Sequence, residues 1–234
     1  MTEHGDEMAE PWDIGRPQPA VQQLVACGAL RGEVLDPGTG SGHHAIYYAL
    51  QGHPVTGVDL SPVAIERARA NAQAAGVRVN FQVADALDLA GFDDRFDTVV
   101  DSAFYHVFQD DEALQLQYAR TLHRVTRPGA RLFMFEAGRH NVNGWQLDGA
   151  PAETFRRVLT AAGWRVDHIG PTAYQGVFAP ESFTSMLQLM EEMGRPDIAE
   201  GVRVLQHRFA VLQPLLEDNV VHMPFWMIAA TRQD

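Results

Sequence analysis

Cysteine is all but missing: Cys27 stands alone in 234 residues. One thiol excludes an internal disulfide framework and a cysteine-rich metal site, and it suits a reducing, cytoplasmic compartment. Long apolar runs are missing as well. Nothing approaches the roughly 20 consecutive apolar residues that span a bilayer. The opening M-T-E-H-G-D-E-M-A-E is acidic and polar, unlike a signal peptide. Positive charge is scarce, 18 basic residues against 30 acidic, for a net charge of −12. Such a surface repels phosphate backbones and anionic lipid, so neither nucleic acid nor membrane is expected as a partner. No internal repeat or low-complexity segment occurs. What remains is 46% hydrophobic and 21% charged, a composition and length that suit one α/β domain with insertions.

Two short runs carry most of the information. Val34–Gly42 reads V-L-D-P-G-T-G-S-G, and Val55–Ser61 reads V-T-G-V-D-L-S. An apolar strand enters a glycine-rich turn, a helix follows, and a second apolar strand ends on Asp59. This is the first half of a nucleotide-binding βαβ unit. Glycine is needed where the backbone turns sharply and approaches a ligand. Asp59 is placed to accept from both hydroxyls of a ribose. A dinucleotide fingerprint requires G-x-G-x-x-G with pyrophosphate on the helix N-terminus. Gly38 and Gly40 fit it, but the third slot is His43. The run is instead D-x-G-x-G-x-G, opened by Asp36. A carboxylate repels pyrophosphate and attracts the ammonium of an amino acid. S-adenosylmethionine (SAM) joins an adenosine to an amino acid.

Beyond these runs, strands are predicted at 33–36, 54–59, 77–83, 96–101, 130–136, 164–171 and 223–231, alternating with helices at 20–30, 41–51, 62–75, 111–125 and 151–162. That alternation predicts a mostly parallel sheet. Ser61 and Pro62 mark a helix start, and Pro128-Gly129 reads as a turn. Residues 1–10 are expected to form a flexible tail, and 11–234 a single domain. Within it, 11–30 makes an N-terminal flap and helix. Residues 173–218 form a helical insertion, split near Gly194-Arg195-Pro196 and suited to serve as a lid.

On these residues the chain resembles the class I SAM-dependent methyltransferases. The resemblance implies an α/β, Rossmann-like sheet of seven strands, the last antiparallel, with helices on both faces. It implies SAM as cofactor and S-adenosylhomocysteine as product. Asp36, Gly38, Thr39 and Gly40 would serve the methionine portion, and Asp59 the ribose. Asp85 and Ala86 would contact the adenine edge, with Leu60 against its face or in the core. Ser102 would lie beside the methionine portion. Phe104, Tyr105 and His106 follow the fourth strand at the edge where open α/β sheets bind ligands. Tyr105 and His106 are the candidate catalytic residues, His106 either as a general base or as a pocket wall. Pro37 removes a backbone donor from the glycine run.

A second run, P-W-D-I-G-R-P-Q-P over Pro11–Pro19, resembles the opening of thiopurine, thiol or halide, and heterocyclic toxin methyltransferases. There the segment folds over SAM, which gives Trp12 a place against cofactor and substrate. Arg139 and Phe178 complete the expected substrate pocket, and Glu136 and His140 lie at the same strand edge. Phe178, Phe183, Met186 and Met190 fit an apolar cavity or plain core. His43-His44 has no further ligand cluster, so no metal is expected. The resulting expectation is a methyltransferase acting on an oxygen, nitrogen or sulfur atom of a small aromatic or heterocyclic molecule, as monomer or homodimer. The alternatives are an NAD-linked oxidoreductase, a protein or nucleic-acid methyltransferase, and a non-catalytic SAM-binding module.

Overall fold

The computed structural model describes residues 12–144, 146, 147, 149–178, 180–192, 194 and 196–234. The expected tail over 1–10, and Pro11, lie outside the described residues. The elements run α1 (Pro19–Ala26), β1 (Val34–Pro37), α2 (His43–Leu50), β2 (Val55–Asp59), α3 (Pro62–Ala74), β3 (Asn80–Val83), β4 (Phe96–Ser102), α4 (Glu112–Val125), β5 (Thr126–Ala137), α5 (Ala152–Ala161), β6 (Trp164–Val177), α6 (Pro180–Glu192), α7 (Pro196–Leu212) and β7 (Val220–Arg232). Short 3₁₀ turns occupy Tyr105–Phe108 and Gln213–Leu215.

Local chemistry sets the helix starts. The Ser61 hydroxyl accepts from the Ala64 amide at 3.2 Å, and Pro62 opens α3 without needing a hydrogen bond of its own. Asp111 accepts from the amides of Ala113 and Leu114 at 2.9 and 3.1 Å, and His123 and Arg124 close α4 at its negative end. All four residues of β1 are buried, as a strand covered on both faces requires.

The seven strands form one sheet in the order β3-β2-β1-β4-β5-β7-β6. The pairs β1–β2, β1–β4, β2–β3 and β4–β5 are parallel, and β7 runs antiparallel to β5. This is the sheet the sequence predicts. The strand order reverses between β1 and β4, so a crevice opens at the carboxyl ends of those two strands. Beneath it Leu35, Val58, Val99, Leu132 and Ile228 from the sheet pack with Tyr118, Leu122, Phe155 and Trp164. The Trp164 indole N–H donates to the Ala119 carbonyl at 3.0 Å.

Three strands depart from expectation. β5 does not begin after a Pro128-Gly129 turn but runs through it. Phe96 pairs with Thr126 and Thr98 with Arg131, so β5 carries extra residues at that point. Gly129 has φ +75° there: the proline and glycine make a bulge rather than a break. β6 continues past Pro171 to Val177, because an edge strand tolerates a missing amide. β7 starts three residues before Met223, at Val220.

Two compact units emerge. One comprises Gly15–Tyr174 with Met223–Asp234; the other, among the described residues, comprises 12–14 with Gln175–His222. In the second, α6 and α7 pack around Phe178, Phe183 and Phe209, whose ring centroids lie 5.2 to 6.3 Å apart.

Candidate active site at the strand tips

The glycine run leaves β1 in a conformation only glycine takes easily. Gly38 and Gly40 have φ +65° and +51°. A Cβ at Gly38 would overlap the Phe104 ring, whereas a Cβ at Gly40 would meet nothing within 4 Å. The loop is therefore packed against protein on one glycine and open on the other. Thr39 anchors it: its amide donates to the Val58 carbonyl at 2.9 Å and its hydroxyl to Asp36 Oδ2 at 2.6 Å. Asp36 is 2% exposed. Burial pushes its carboxyl up to about 7; the Thr39 hydrogen bond opposes the shift and the Asp59 charge adds to it.

Asp59 closes the loop from β2. Its Oδ2 accepts from the Gly40 amide and its Oδ1 from the Ser61 amide, both at 2.9 Å. Each carboxylate oxygen carries a second lone pair suited to a hydroxyl. Leu60, next in the chain, is 71% exposed, and Val83, which pairs with Asp59 in register, is 50% exposed. Large apolar side chains left in water on either side of an acid suit a flat apolar ligand. The exposure of Val83 is not legible in the sequence, because an apolar strand residue normally signals core. Asp85 is exposed and its Oδ1 accepts from the Leu87 amide at 2.8 Å, while Ala86 is buried.

Acids crowd the tips of β4 and β5. Asp101 is fully buried; its Oδ1 accepts from the Phe104 amide at 3.0 Å and its Oδ2 from the Tyr118 hydroxyl at 2.8 Å. Burial first, and then the charge of Glu136, push its carboxyl up to about 8. Glu136, 2% exposed, accepts from the His106 amide at 3.3 Å and lies 3.6 Å from His106 Nδ1. Ser102 shares a 2.9 Å hydrogen bond with the Tyr174 hydroxyl. Beyond it Ala103 turns with φ +59°, and its amide donates to the Phe135 carbonyl. That turn sends Phe104 toward the glycine loop. Asp101 and Tyr174 were not singled out in the sequence, since only the sheet register brings them beside Ser102 and Glu136.

Of the other expected residues, Tyr105 and Arg139 belong to the same unit as these acids, and Phe178 and Trp12 to the helical unit. Tyr105 is 2% exposed, with its ring 5.4 Å from Phe155 and 6.2 Å from Tyr118; its hydroxyl is buried without a hydrogen-bond partner among the described residues. It is core, not crevice wall. Arg139 is exposed on the loop after β5, where its Nε donates to the Gly149 carbonyl at 2.6 Å. Phe178 is 7% exposed and belongs to the aromatic cluster of the helical unit. Trp12 belongs to that same unit, and its carbonyl accepts from the Ile14 amide at 3.1 Å. Gln18, passed over in the sequence, is fully buried and its amide donates to His44 Nε2 at 3.2 Å.

Comparison with known proteins decides the family. Residues 34–129 match the model of a methyltransferase domain. The chain is 34% identical over 166 residues to the 2-heptyl-1-hydroxyquinolin-4(1H)-one methyltransferase of Mycobacteroides abscessus, covering 69% of this chain and 71% of that one. The chain belongs to the class I SAM-dependent methyltransferases. A solved structure concerned with the conversion of a disulfide bond into a thioacetal group during echinomycin biosynthesis is similar to this methyltransferase with TM-score 0.72 and 30% identity, over 95% of this chain and 84% of that one. The Burkholderia thailandensis 1,6-didemethyltoxoflavin-N1-methyltransferase, solved with 1,6-didemethyltoxoflavin and S-adenosylhomocysteine, shares the fold with TM-score 0.58 and 21% identity, over 92% and 77% of the two chains.

SAM is thus this methyltransferase's methyl donor, and the strand tips fit it. The open face at Gly40 admits a close approach, and the lone pairs of Asp59 suit ribose hydroxyls. Leu60 and Val83 offer apolar surface for adenine, and buried Asp36 suits an ammonium. The dinucleotide alternative is set aside by family membership. No helix among the described residues is long and apolar enough to cross a membrane, and no group of three or more His, Cys, Asp or Glu among them is placed to hold a metal ion.

Proposed function

We propose that this methyltransferase acts on an oxygen, nitrogen or sulfur atom of a small aromatic or heterocyclic molecule. The observation that carries this reading lies at the tip of β4. Phe104, which lies against Gly38 of the glycine loop, is followed there by the partly exposed His106 and by Val107 (63% exposed). Apolar side chains beside a partly exposed imidazole suit a flat acceptor that needs at most one proton removed. The kinship with a hydroxyquinolone methyltransferase supports it, and so does the net charge of −12, which disfavours polyanionic acceptors.

In this reading Asp59 holds the ribose, Asp36 the ammonium, the glycine loop faces the methionine portion, and Asp85 and Ala86 take the adenine edge. SAM supplies a methyl group already activated by its positive sulfur. The protein's part is alignment and exclusion of water, which lowers the barrier by up to ~7–11 kcal/mol in well-oriented systems. Phe104 packs on Gly38 and so ties the acceptor side of the crevice to the cofactor loop.

A panel of phenols, thiols, N-hydroxy heterocycles and bulk tRNA, incubated with SAM and read by mass spectrometry, tests the proposal. A gain of one methyl on a small acceptor is expected. Methylation of tRNA alone would refute the substrate class, and no methylated product with any acceptor would refute the reading as a whole.

A further inference from the structure

Glu136 is the least expected group at the strand tips. A carboxylate 2% exposed is costly unless charge and hydrogen bonds compensate it. Among the described residues its compensation comes from His106. Oε1 accepts the His106 backbone amide at 3.3 Å, and Oε2 lies 3.6 Å from the same residue's Nδ1. Glu136 thus bonds the backbone of His106 and faces its ring at ion-pair distance. The pair is lopsided: the acid side chain is 3% exposed and the imidazole 33%. An acid at the bottom and a ring reaching outward is the arrangement of a base with its orienting partner.

The groups around the pair fit that assignment. Asp101 on β4 is held by the Tyr118 hydroxyl of α4 and the Phe104 amide, and burial first, then the nearby Glu136, push its carboxyl up to about 8. Tyr174 of β6 is engaged by Ser102. Tyr105 lies within reach of the charges of Asp101 and Glu136; Asp36, and Arg157 of α5, also act on the tyrosines around the pair.

We propose that Glu136 is a positioning residue that fixes His106 as the tautomer with its proton on Nδ1 and its lone pair on Nε2, so that the pair deprotonates acceptors that reach the site un-ionised. This rests on the methyltransfer reading above. The proton leaves an O–H, N–H or S–H for Nε2, and the bonding pair stays on the acceptor atom as the nucleophile. The Nδ1 proton remains with the ring facing Glu136, and the imidazolium returns the extra proton to solvent through its exposed edge. Acceptors already ionised bypass the pair, so one site serves both kinds at different pH optima.

The test has two arms. Nitrogen-15 NMR of the wild-type ring, assigned with His106→Asn, reads the tautomer without any methyl acceptor. The expected neutral form is Nδ1–H, and the imidazole pKa falls in Glu136→Gln while Glu136→Asp retains most of the wild-type behaviour. In the kinetic arm, Glu136→Gln lowers kcat/KM about tenfold or more for an acceptor un-ionised at the assay pH. It changes that for an ionised acceptor less than about threefold, and its acidic limb moves to lower pH. An Nε2–H ring in the wild type, or equal losses for both acceptors with an unmoved pH profile, overturns the proposal. If Glu136→Gln does not fold, the wild-type tautomer and Glu136→Asp decide. If no acceptor is methylated while the NMR shows the pairing, the methyltransfer reading fails and the orienting role of Glu136 stands.

Discussion

The Gly40 amide donates to Asp59 Oδ2 across 2.9 Å, so the loop after β1 and the acid at the tip of β2 are one piece of structure. Asp59→Ala removes two things at once. It deletes the acceptor proposed for ribose, worth about 1.5–3 kcal/mol per hydrogen bond, and it leaves the Gly40 and Ser61 amides without their partner. Calorimetric titration with S-adenosylhomocysteine should show affinity reduced ~100-fold or more, two such bonds at about 1.4 kcal/mol per tenfold. Unchanged affinity would place the ribose elsewhere.

Gly38 and Gly40 separate packing from binding. Both have positive φ, so alanine at either strains the backbone by about 1 kcal/mol. Only at Gly38 does the new Cβ also overlap a side chain, the Phe104 ring. Gly38→Ala should therefore lose about 2–4 kcal/mol of stability, strain plus overpacking, and Phe104→Ala in the same chain should recover part of it. Gly40→Ala should lose only the backbone strain yet bind S-adenosylhomocysteine at least ~tenfold more weakly. Urea melts and titrations of the three variants check this. Equal stability losses at the two glycines would contradict the packing difference.

The proposed pairing of Asp36 with the ammonium predicts that cofactor binding depends on pH. In the folded chain it titrates near 7, against 3.8 for an open chain, chiefly because it is buried. The folded state thus holds this proton more tightly than the unfolded state does. Its contribution to stability is full below 3.8, is lost progressively as pH rises toward 7, and is flat above. An ammonium at this position favours the ionised form. Affinity for S-adenosylhomocysteine should climb between pH 5 and 7, by up to about tenfold per pH unit, and then level off, with proton release on binding below pH 7. Asp36→Asn should abolish the slope and raise the melting temperature of the ligand-free protein at pH 8. A dissociation constant that stays flat from pH 5 to 7 in the wild type would remove the ammonium from Asp36.

Much of this was legible in the chain, for physical reasons that vary by residue. Asp36, Gly38, Gly40 and Asp59 stand in two contiguous runs, and local rules connect a strand end, a positive-φ turn and a capped helix. Ser61 and Asp111 announced helix starts through their own side-chain hydrogen bonds. The bulge at Pro128-Gly129 was misread as a turn because proline and glycine signal both, and only pairing with β4 tells them apart. Glu136 and His106 lie thirty positions apart, and Asp101 gains its significance from Tyr118 on a later helix. Such pairs are set by sheet register and packing, which no local pattern records. Tyr105 precedes the partly exposed His106 in the chain yet is buried against Phe155 and Tyr118, a placement set by packing with α4 and α5.

Tyr105 gives the last prediction. Its hydroxyl is buried without a partner among the described residues, and a polar group in that condition costs about 1–3 kcal/mol. Burial, with Asp101 and Glu136 nearby, pushes the phenol above its ordinary range, so it cannot serve as a base near neutral pH. Tyr105→Phe keeps the ring that packs on Phe155 and Tyr118 and deletes only the oxygen. The melting temperature should therefore hold or rise by about 2–4 °C for each kcal/mol relieved. Turnover should stay within about twofold of wild type, whereas Tyr105→Ala should lose about 3–5 kcal/mol through the cavity it opens. A phenylalanine variant of normal stability whose turnover drops tenfold or more would return Tyr105 to the chemistry and require the 3₁₀ turn to open during catalysis.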